Sequence, residues 1–430
     1  MSPVEHEIPV VDSDPHLTWR VLLVVPVVVG AITGALVGLL VRVIEDFLLD
    51  RVVLGLPGLW FAIPCIGVFV LTRFALVKVA GTTKPGTAEL YPYYYHHPDE
   101  RYPVNQAPGR ILSGATTVGL GGSQGLESQS VLIGSSIGIL LRRIFRKRLS
   151  YLARPEGRNL LLVCGAAAGI ATVFSSPVLG AFYGLEMPFR NRLDARRLVP
   201  AVLAAGASFA AASLTHNARS LMTYEPHEIG VKEAIGVLIV GALCGGGARG
   251  FVWVMSRTRD FKNGPSPWLR ASVAGVVLSL LAMTAWTITG AAITAGPGYV
   301  ASNWALPPIG ESPAILLLLA ALIIRLASVL LSVAAGGGGG VFTSMAVNGI
   351  LLGTLVAGLL GLENPTLLAL AGACAFLGAG YRLPLATAGL LAEISGSAMP
   401  IALGIIAIGI AMVCMGSTSA SPTQTDARSV

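Results

Sequence analysis

The segment Gly121-Gly122-Ser123-Gln124-Gly125-Leu126-Glu127-Ser128-Gln129-Ser130 gathers glycines, hydroxyls, two amides and a single carboxylate inside an otherwise apolar stretch. Val131 to Leu141 behind it predicts a helix, so Glu127 and Ser128 fall at or near its start. A helix start presents unpaired N–H groups and about half a positive charge, a place for an anion. A carboxylate tethered there can take the anion's position and give it up again. A second run, Gly336 to Ser344, begins with five glycines and ends in the hydroxyls of Thr343 and Ser344. No Lys-Ser/Thr follows it, so it is not a phosphate-binding P-loop. Neither run contains Lys or Arg. Partial charges without a full opposite charge suit a monovalent anion that must bind and still leave. Thr82 and Thr83 could add a third set of donors. The plainer alternative is that the glycines only let helices pack closely.

The rest of the chain sets this segment in a membrane. Of 430 residues, 54% are hydrophobic and 12% charged, with mean hydropathy +0.74; soluble proteins carry about 25% charged residues. Residues 1–16 are polar and lack the basic start of a signal peptide, which predicts a short cytoplasmic tail. The net charge of +7 is no nucleic-acid footprint. Its basic residues cluster in loops such as Arg142 to Arg148 and Arg190 to Arg197, placed on the cytoplasmic side by the positive-inside rule. The five cysteines lie in apolar segments without paired spacing, and the histidines lie in polar loops or the N-terminal tail. No metal site, cofactor site or catalytic triad is expected, and no enzyme.

Leu17 to Val41 and Leu54 to Val79 are each long enough to span a bilayer of about 30 Å. A polar interruption from Ala80 to Arg110, rich in tyrosine, points to a membrane–water interface. Further apolar segments, among them Ala234 to Leu243, are too long or too short for one span and carry Gly or Pro, the pattern of broken and re-entrant helices. The chain also repeats. Gly125 to Gly134 can be laid on Gly340 to Gly349, and Gly165 through Pro177 to Glu186 on Gly372 through Pro384 to Glu393, the offset changing from 215 to 207. The expected architecture is an all-α polytopic membrane domain over 17–415, with halves at about 17–215 and 230–415 and a short polar tail at 416–430. Its site should lie where the halves meet, near the bilayer midplane. The repeat alone leaves open whether the halves are inverted.

Intramembrane charges are costly and therefore informative. Glu127 is the functional candidate. Glu186 and Glu393 close equivalent blocks and suit either a structural cap or a proton path. Arg325 and Arg382 are expected to partner carboxylates or helix C-termini.

These residues resemble the CLC family of chloride channels and chloride/proton antiporters over most of the chain. Gly125 to Gly138 looks like the family's GREGPxxQIGxxIG segment, with Glu127 on the gating glutamate. Gly340 to Ser344 resembles GxFxP, Gly165 to Glu186 resembles GAAAGxxxxFxxPxxGxxFxxE, and Gly81 to Pro85 is a weaker match to GSGIP. The resemblance implies a CLC-like fold of two inverted repeats, a homodimer in the lipid bilayer, and a separate pore in each subunit. It implies Glu127 as gate and an anion, chloride or similar, held among Thr82, Gly125, Ser128, Gly340, Val341, Phe342 and Thr343. Protons are a further implied partner, with Glu186 as the candidate path. Several family positions differ. Leu126, Gln129 and Ser344 replace an Arg and two Pro of the motifs, and Met187 stands where the antiporters carry their inner proton-transfer glutamate. The C-terminal tyrosine of the family has no counterpart in Ser417 to Thr423, and its paired CBS domains have none in this sequence. The ranked expectations are a channel-like or weakly coupled anion pathway, then an antiporter with another inner carboxylate. A carrier of fluoride, bicarbonate or another solute comes third, and a non-transporting scaffold last.

Overall fold

The computed structural model describes residues 19–85, 88–215, 220–260, 266–308 and 313–426. The predicted tail at 1–16 lies outside them. The described residues are mostly helical. The first half of the chain holds α1 (Val25–Val41), α2 (Pro64–Phe74), α3 (Leu90–His96), α4 (Ala107–Gly119), α5 (Glu127–Phe145), α6 (Pro155–Phe174), α7 (Pro177–Glu186) and α8 (Leu198–Ala212). The second holds α9 (Val231–Asp260), α10 (Pro267–Thr289), α11 (Tyr299–Ala305), α12 (Ile315–Ala334), α13 (Phe342–Leu359), α14 (Thr366–Tyr381), α15 (Pro384–Ser395) and α16 (Ala398–Met415). Eight helical stretches among the described residues are long and apolar enough to cross a membrane.

Two segments differ from their expected lengths. The first span does not stop at Val41: helix continues from Arg20 to Val53, with Ile44, Glu45, Leu49 and Val53 turned inward. Ala234 to Leu243, short as a sequence segment, is part of the long α9. Its glycines at 245–247 do not break the helix, because Gly245 packs against the Ala411 backbone of α16.

The repeat is a packing repeat. α5 packs on α6 as α13 packs on α14, α1 on α8 as α9 on α16, and α2 on α4 as α10 on α12. At the first of these crossings a Cβ on Gly134 would meet the Gly165 carbonyl, and one on Gly165 would meet Gly134. Gly349 and Gly372, their repeat mates, stand in the same relation. Only residues without side chains let two backbones approach this closely, which is how small residues drive helix association in lipid.

The turns repeat as well. α6 ends at Ser175 in the left-handed conformation (φ 51°) and α14 ends at Arg382 in the same one (φ 57°). Each is followed two residues later by the proline that starts the next helix, Pro177 or Pro384, where a missing N–H costs nothing. The last residues of these short helices then reach across the halves. Glu186 accepts from the Leu385 and Ala386 N–H groups at 3.1 and 2.8 Å. Glu393 accepts from Val178 N–H at 2.8 Å and from the Ser176 hydroxyl. Each glutamate, in the last turn of its own helix, therefore caps the helix that carries the other, satisfying N–H groups that α7 and α15 cannot pair internally.

The described part of the polar tail, residues 416–426, is docked. Ala420 N–H donates to the Gly380 carbonyl at 2.7 Å, the Gln424 side chain donates to the Tyr381 carbonyl at 3.0 Å, and Phe189–Arg190 pairs in parallel with Thr425–Asp426. Arg382 donates to the Gly416 carbonyl at the end of α16 and to Asn191.

Glu186 is buried whereas Glu393 is exposed, so removing the two caps should not cost the same. Glu186→Ala leaves the buried Ala386 N–H and the part-buried Leu385 N–H unpaired, an expected loss of about 1–3 kcal/mol. The apparent melting temperature in detergent should fall further for Glu186→Ala than for Glu393→Ala.

Candidate functional site

The two glycine-rich breaks meet. Gly125 N–H donates to the Gly340 carbonyl at 2.9 Å and Gly340 N–H donates to the Gly125 carbonyl at 2.8 Å, an isolated antiparallel bridge between repeat-equivalent residues. Because equivalent residues pair antiparallel, the two halves run in opposed directions here, and α5 and α13 begin face to face. Backbone that is not helical is thereby satisfied without water.

Glu127, the first residue of α5, turns its carboxylate onto the opposite helix start. Oε1 accepts from Thr343 N–H at 2.6 Å and also from the Thr343 hydroxyl. Glu127 is 1% exposed, and a Cβ on either Gly125 or Gly340 would collide with its carboxylate. The carboxylate thus sits on the Thr343 N–H at the positive end of α13, the kind of place an anion takes. Its Oε2 and the Ser128 hydroxyl have no hydrogen-bond partner among the described residues.

A cavity of about 670 Å³ leads to this point from the face that carries the exposed Thr83 and Lys84. Ser128, Gly340 and Val341 line its inner end, and Thr82, Thr83 and Lys84 its outer wall. The predicted residues therefore fall into two sets. Thr82, Ser128, Gly340 and Val341 share this cavity, while Gly125, Glu127, Phe342 and Thr343 form the buried junction behind it. Glu186 lies apart, on the α15 cap. Met187 is buried, with Sδ 3.9 Å from the Gln424 side-chain nitrogen.

Three sets of residues support the junction, and the sequence singled out few of them. Gln129 donates to the Gly338 carbonyl, and Gln124 accepts from Gly339 N–H at 3.2 Å, so the first break threads the second. Arg325, fully buried, donates to the carbonyls of Ile293, Thr294 and Gly296 at 3.2, 2.7 and 2.9 Å. It meets turn carbonyls instead of a carboxylate. Ser123 donates to the same Thr294 carbonyl at 2.5 Å, and Ser344 lies 3.3 Å from the Arg325 guanidinium, so one cation ties a turn to both breaks. Third, the Phe342 ring is enclosed by Phe174, Tyr183 and Tyr381, with centroids 5.3, 5.5 and 5.3 Å away. Tyr381 also lines the cavity. The signal for it was present: the 207-residue offset places Tyr381 on Phe174.

Comparison with known proteins bears on the family and the fold. Residues 68–416 match the family model described as voltage gated chloride channel. A chloride/fluoride channel protein of Pseudomonas syringae pv. tomato is 32% identical over 110 residues, 26% of this chain and 23% of that protein. An H(+)/Cl(-) exchange transporter ClcA of Klebsiella pneumoniae is 35% identical over 79 residues, 18% of this chain and 16% of the relative. The matched stretches thus span well under half of these relatives. A CLC-type fluoride/proton antiporter superposes with TM-score 0.79 at 22% identity, covering 96% of this chain and all (100%) of that one. A slow cyanobacterial Cl-/H+ antiporter gives 0.77 at 21%, covering 94% and 97%. At such identities the superpositions speak for the fold.

Arg325→Lys keeps the charge but cannot span three carbonyls with a planar fork. It should cost about 2–3 kcal/mol, read as a lower apparent melting temperature, because buried carbonyls lose charged donors. An unchanged melting temperature would remove Arg325 from the support of the junction.

Proposed function

The chain belongs to the voltage gated chloride channel family and is an integral, multi-pass membrane protein, and from that premise we propose that it passes small monovalent anions, chloride first, through the cavity at the junction of its halves. Glu127 is the gate. The observation that carries this reading is the Glu127 carboxylate on Thr343 N–H, a tethered anion seated at the start of α13.

When ionised, the carboxylate holds the donors that a mobile anion needs. When protonated, it loses its claim on them and swings away, and an anion arriving past Thr82 and Ser128 meets Gly340, Val341 and Thr343 instead. Phe342 and its aromatic neighbours wall the passage, so the anion is stabilised by partial charges and is released again. In the proposed assembly two copies pair, each with its own pathway.

The channel-like or weakly coupled form stands ahead of the antiporter. Met187 is an apolar side chain where an inner proton carrier would be needed, and the Glu186 carboxylate is engaged on the α15 N–H groups. Glu186 remains the residue for the antiporter reading, since it is the ionisable group nearest Met187 in sequence. Fluoride is the second substrate to weigh, because one relative is named a chloride/fluoride channel protein.

Purified protein in liposomes, assayed with chloride, nitrate, bicarbonate and fluoride at two pH values, tests the reading. Flux should rise as pH falls, because protonation removes the tethered competitor. Glu127→Gln and Glu127→Ala should both abolish that pH dependence and leave flux high at neutral pH. Flux that neither substitution alters at any pH would sink the gate. Proton movement against its gradient, driven by an anion gradient, would favour the antiporter, and its loss in Glu186→Gln would assign the path.

A further inference from the structure

Among the described residues the Tyr183 hydroxyl has no hydrogen-bond partner, and Tyr183 is only 1% exposed. A phenol left so gives up its bonds to water and packs no better than Phe would. The family block that ends at Glu186 has Phe at this position, so the hydroxyl is this chain's own addition. A buried oxygen of this kind points to water, an ion or a proton that it handles.

Its neighbours narrow the choice. The Tyr183 ring stands edge-on to Phe342, with centroids 5.5 Å apart and planes at 88°. Phe342 immediately precedes Thr343, whose N–H holds Oε1 of Glu127. The other carboxylate oxygen, Oε2, is buried and also unpartnered among the described residues. Tyr381 packs on the same Phe342 at 5.3 Å and lines the 670 Å³ cavity. The ionisable groups within electrostatic reach of Tyr183 are Tyr381, Glu127 and Tyr102. Of the helices packed on α7, α8 carries no ionisable residue, and α15 carries Glu393, bound at the start of α7. α6 carries Glu156, Arg158 and Cys164. On α7 itself, Glu186 is engaged on the α15 N–H groups. Across Phe342, Tyr183 thus has the tyrosine of the cavity and the gate carboxylate as neighbours.

We propose that the Tyr183 hydroxyl relays protons between the cavity and Glu127. A phenol both donates and accepts, and it keeps its own proton at neutral pH. It therefore passes protons on and stores none. In one transfer the Tyr183 O–H proton goes to Oε2 of Glu127 through a water that both oxygens bind. The Tyr183 oxygen takes a proton in turn from cavity water on the Tyr381 side. The phenol is neutral before and after, and the carboxylate has become a carboxylic acid. This deepens the reading of Glu127 as a proton-released gate, on which it rests, and leaves Met187 and Glu186 out of the path.

The test follows the Glu127 carboxyl itself, in the full chain taken through a rapid drop in pH. The infrared carbonyl band of protonated Glu127, identified by its absence in Glu127→Gln, is recorded against time. Tyr183→Phe keeps the ring on Phe342 and should slow the rise of that band by about tenfold or more. Its apparent melting temperature should not fall, because the lost hydroxyl bonds nothing among the described residues. A band that rises as fast in Tyr183→Phe, or no Glu127 band in the unmodified protein, would overturn the relay. So would a lower melting temperature, which would make the hydroxyl structural. In liposomes, chloride flux after the same pH drop is scaled to its own plateau. A relay delays the onset in Tyr183→Phe, whereas a plateau lowered without delay would make the hydroxyl an anion ligand and overturn the proposal. A slowed band beside flux that ignores Glu127→Gln would remove the gate and keep the relay.

Discussion

Backbone that leaves a helix at membrane depth must find its hydrogen bonds inside the protein. Here the two breaks find them in each other. The exchanged pair between Gly125 and Gly340 brings two helix starts nose to nose, and everything at the site follows from that approach. Glu127 can reach Thr343 because nothing larger than hydrogen stands on either glycine. The same bridge relates equivalent residues, so it marks the local two-fold about which the halves are arranged.

A pair of backbone hydrogen bonds cannot hold such a junction alone. The crossings of α5 on α6 and α13 on α14 are set by glycines in backbone contact, which fixes the direction in which each half presents its helix start. Behind them, Glu186 and Glu393 cap each other's helices, a second reciprocal contact between the halves. Arg325 adds the third tie. A fully buried guanidinium is expensive, and it is retained by carbonyl oxygens of the 293–296 turn, which Ser123 and Ser344 connect to both breaks. The result is a rigid frame around one buried carboxylate.

The positions that depart from the family's motifs are built into this frame. Gln129 stands where the motif has Pro, and its amide holds the Gly338 carbonyl of the opposite break. Ser344, also in place of Pro, faces Arg325 and the Ser123 carbonyl. A glycine run has many conformations to lose on folding, and these side chains supply hydrogen bonds where a proline would have supplied stiffness. Near Phe342 tyrosine rings do arise, from Tyr183 and from Tyr381 at the end of α14 instead of from the C-terminal segment. The docked tail crosses the same region through Gln424 and Thr423.

Membrane residence, the repeat and the two breaks were legible in the residues themselves. Hydropathy reports burial in lipid, and Gly, Pro and Glu recur because each half meets the same geometric demand at close crossings, helix starts and caps. Glu127 stood out for the same local reason, a carboxylate at a helix start. What tertiary structure alone decided are the pairings. That Glu186 caps α15 and Glu393 caps α7 is a contact over about two hundred residues, which no local pattern encodes. The partners of Gln129 and Arg325 are backbone carbonyls, and a carbonyl carries no sequence signature. The span to Val53 and the unbroken α9 were misjudged for a related reason. Polar residues and glycines tend to end a helix in water, but here Glu45 is turned inward and Gly245 packs on the Ala411 backbone, and both helices continue past them.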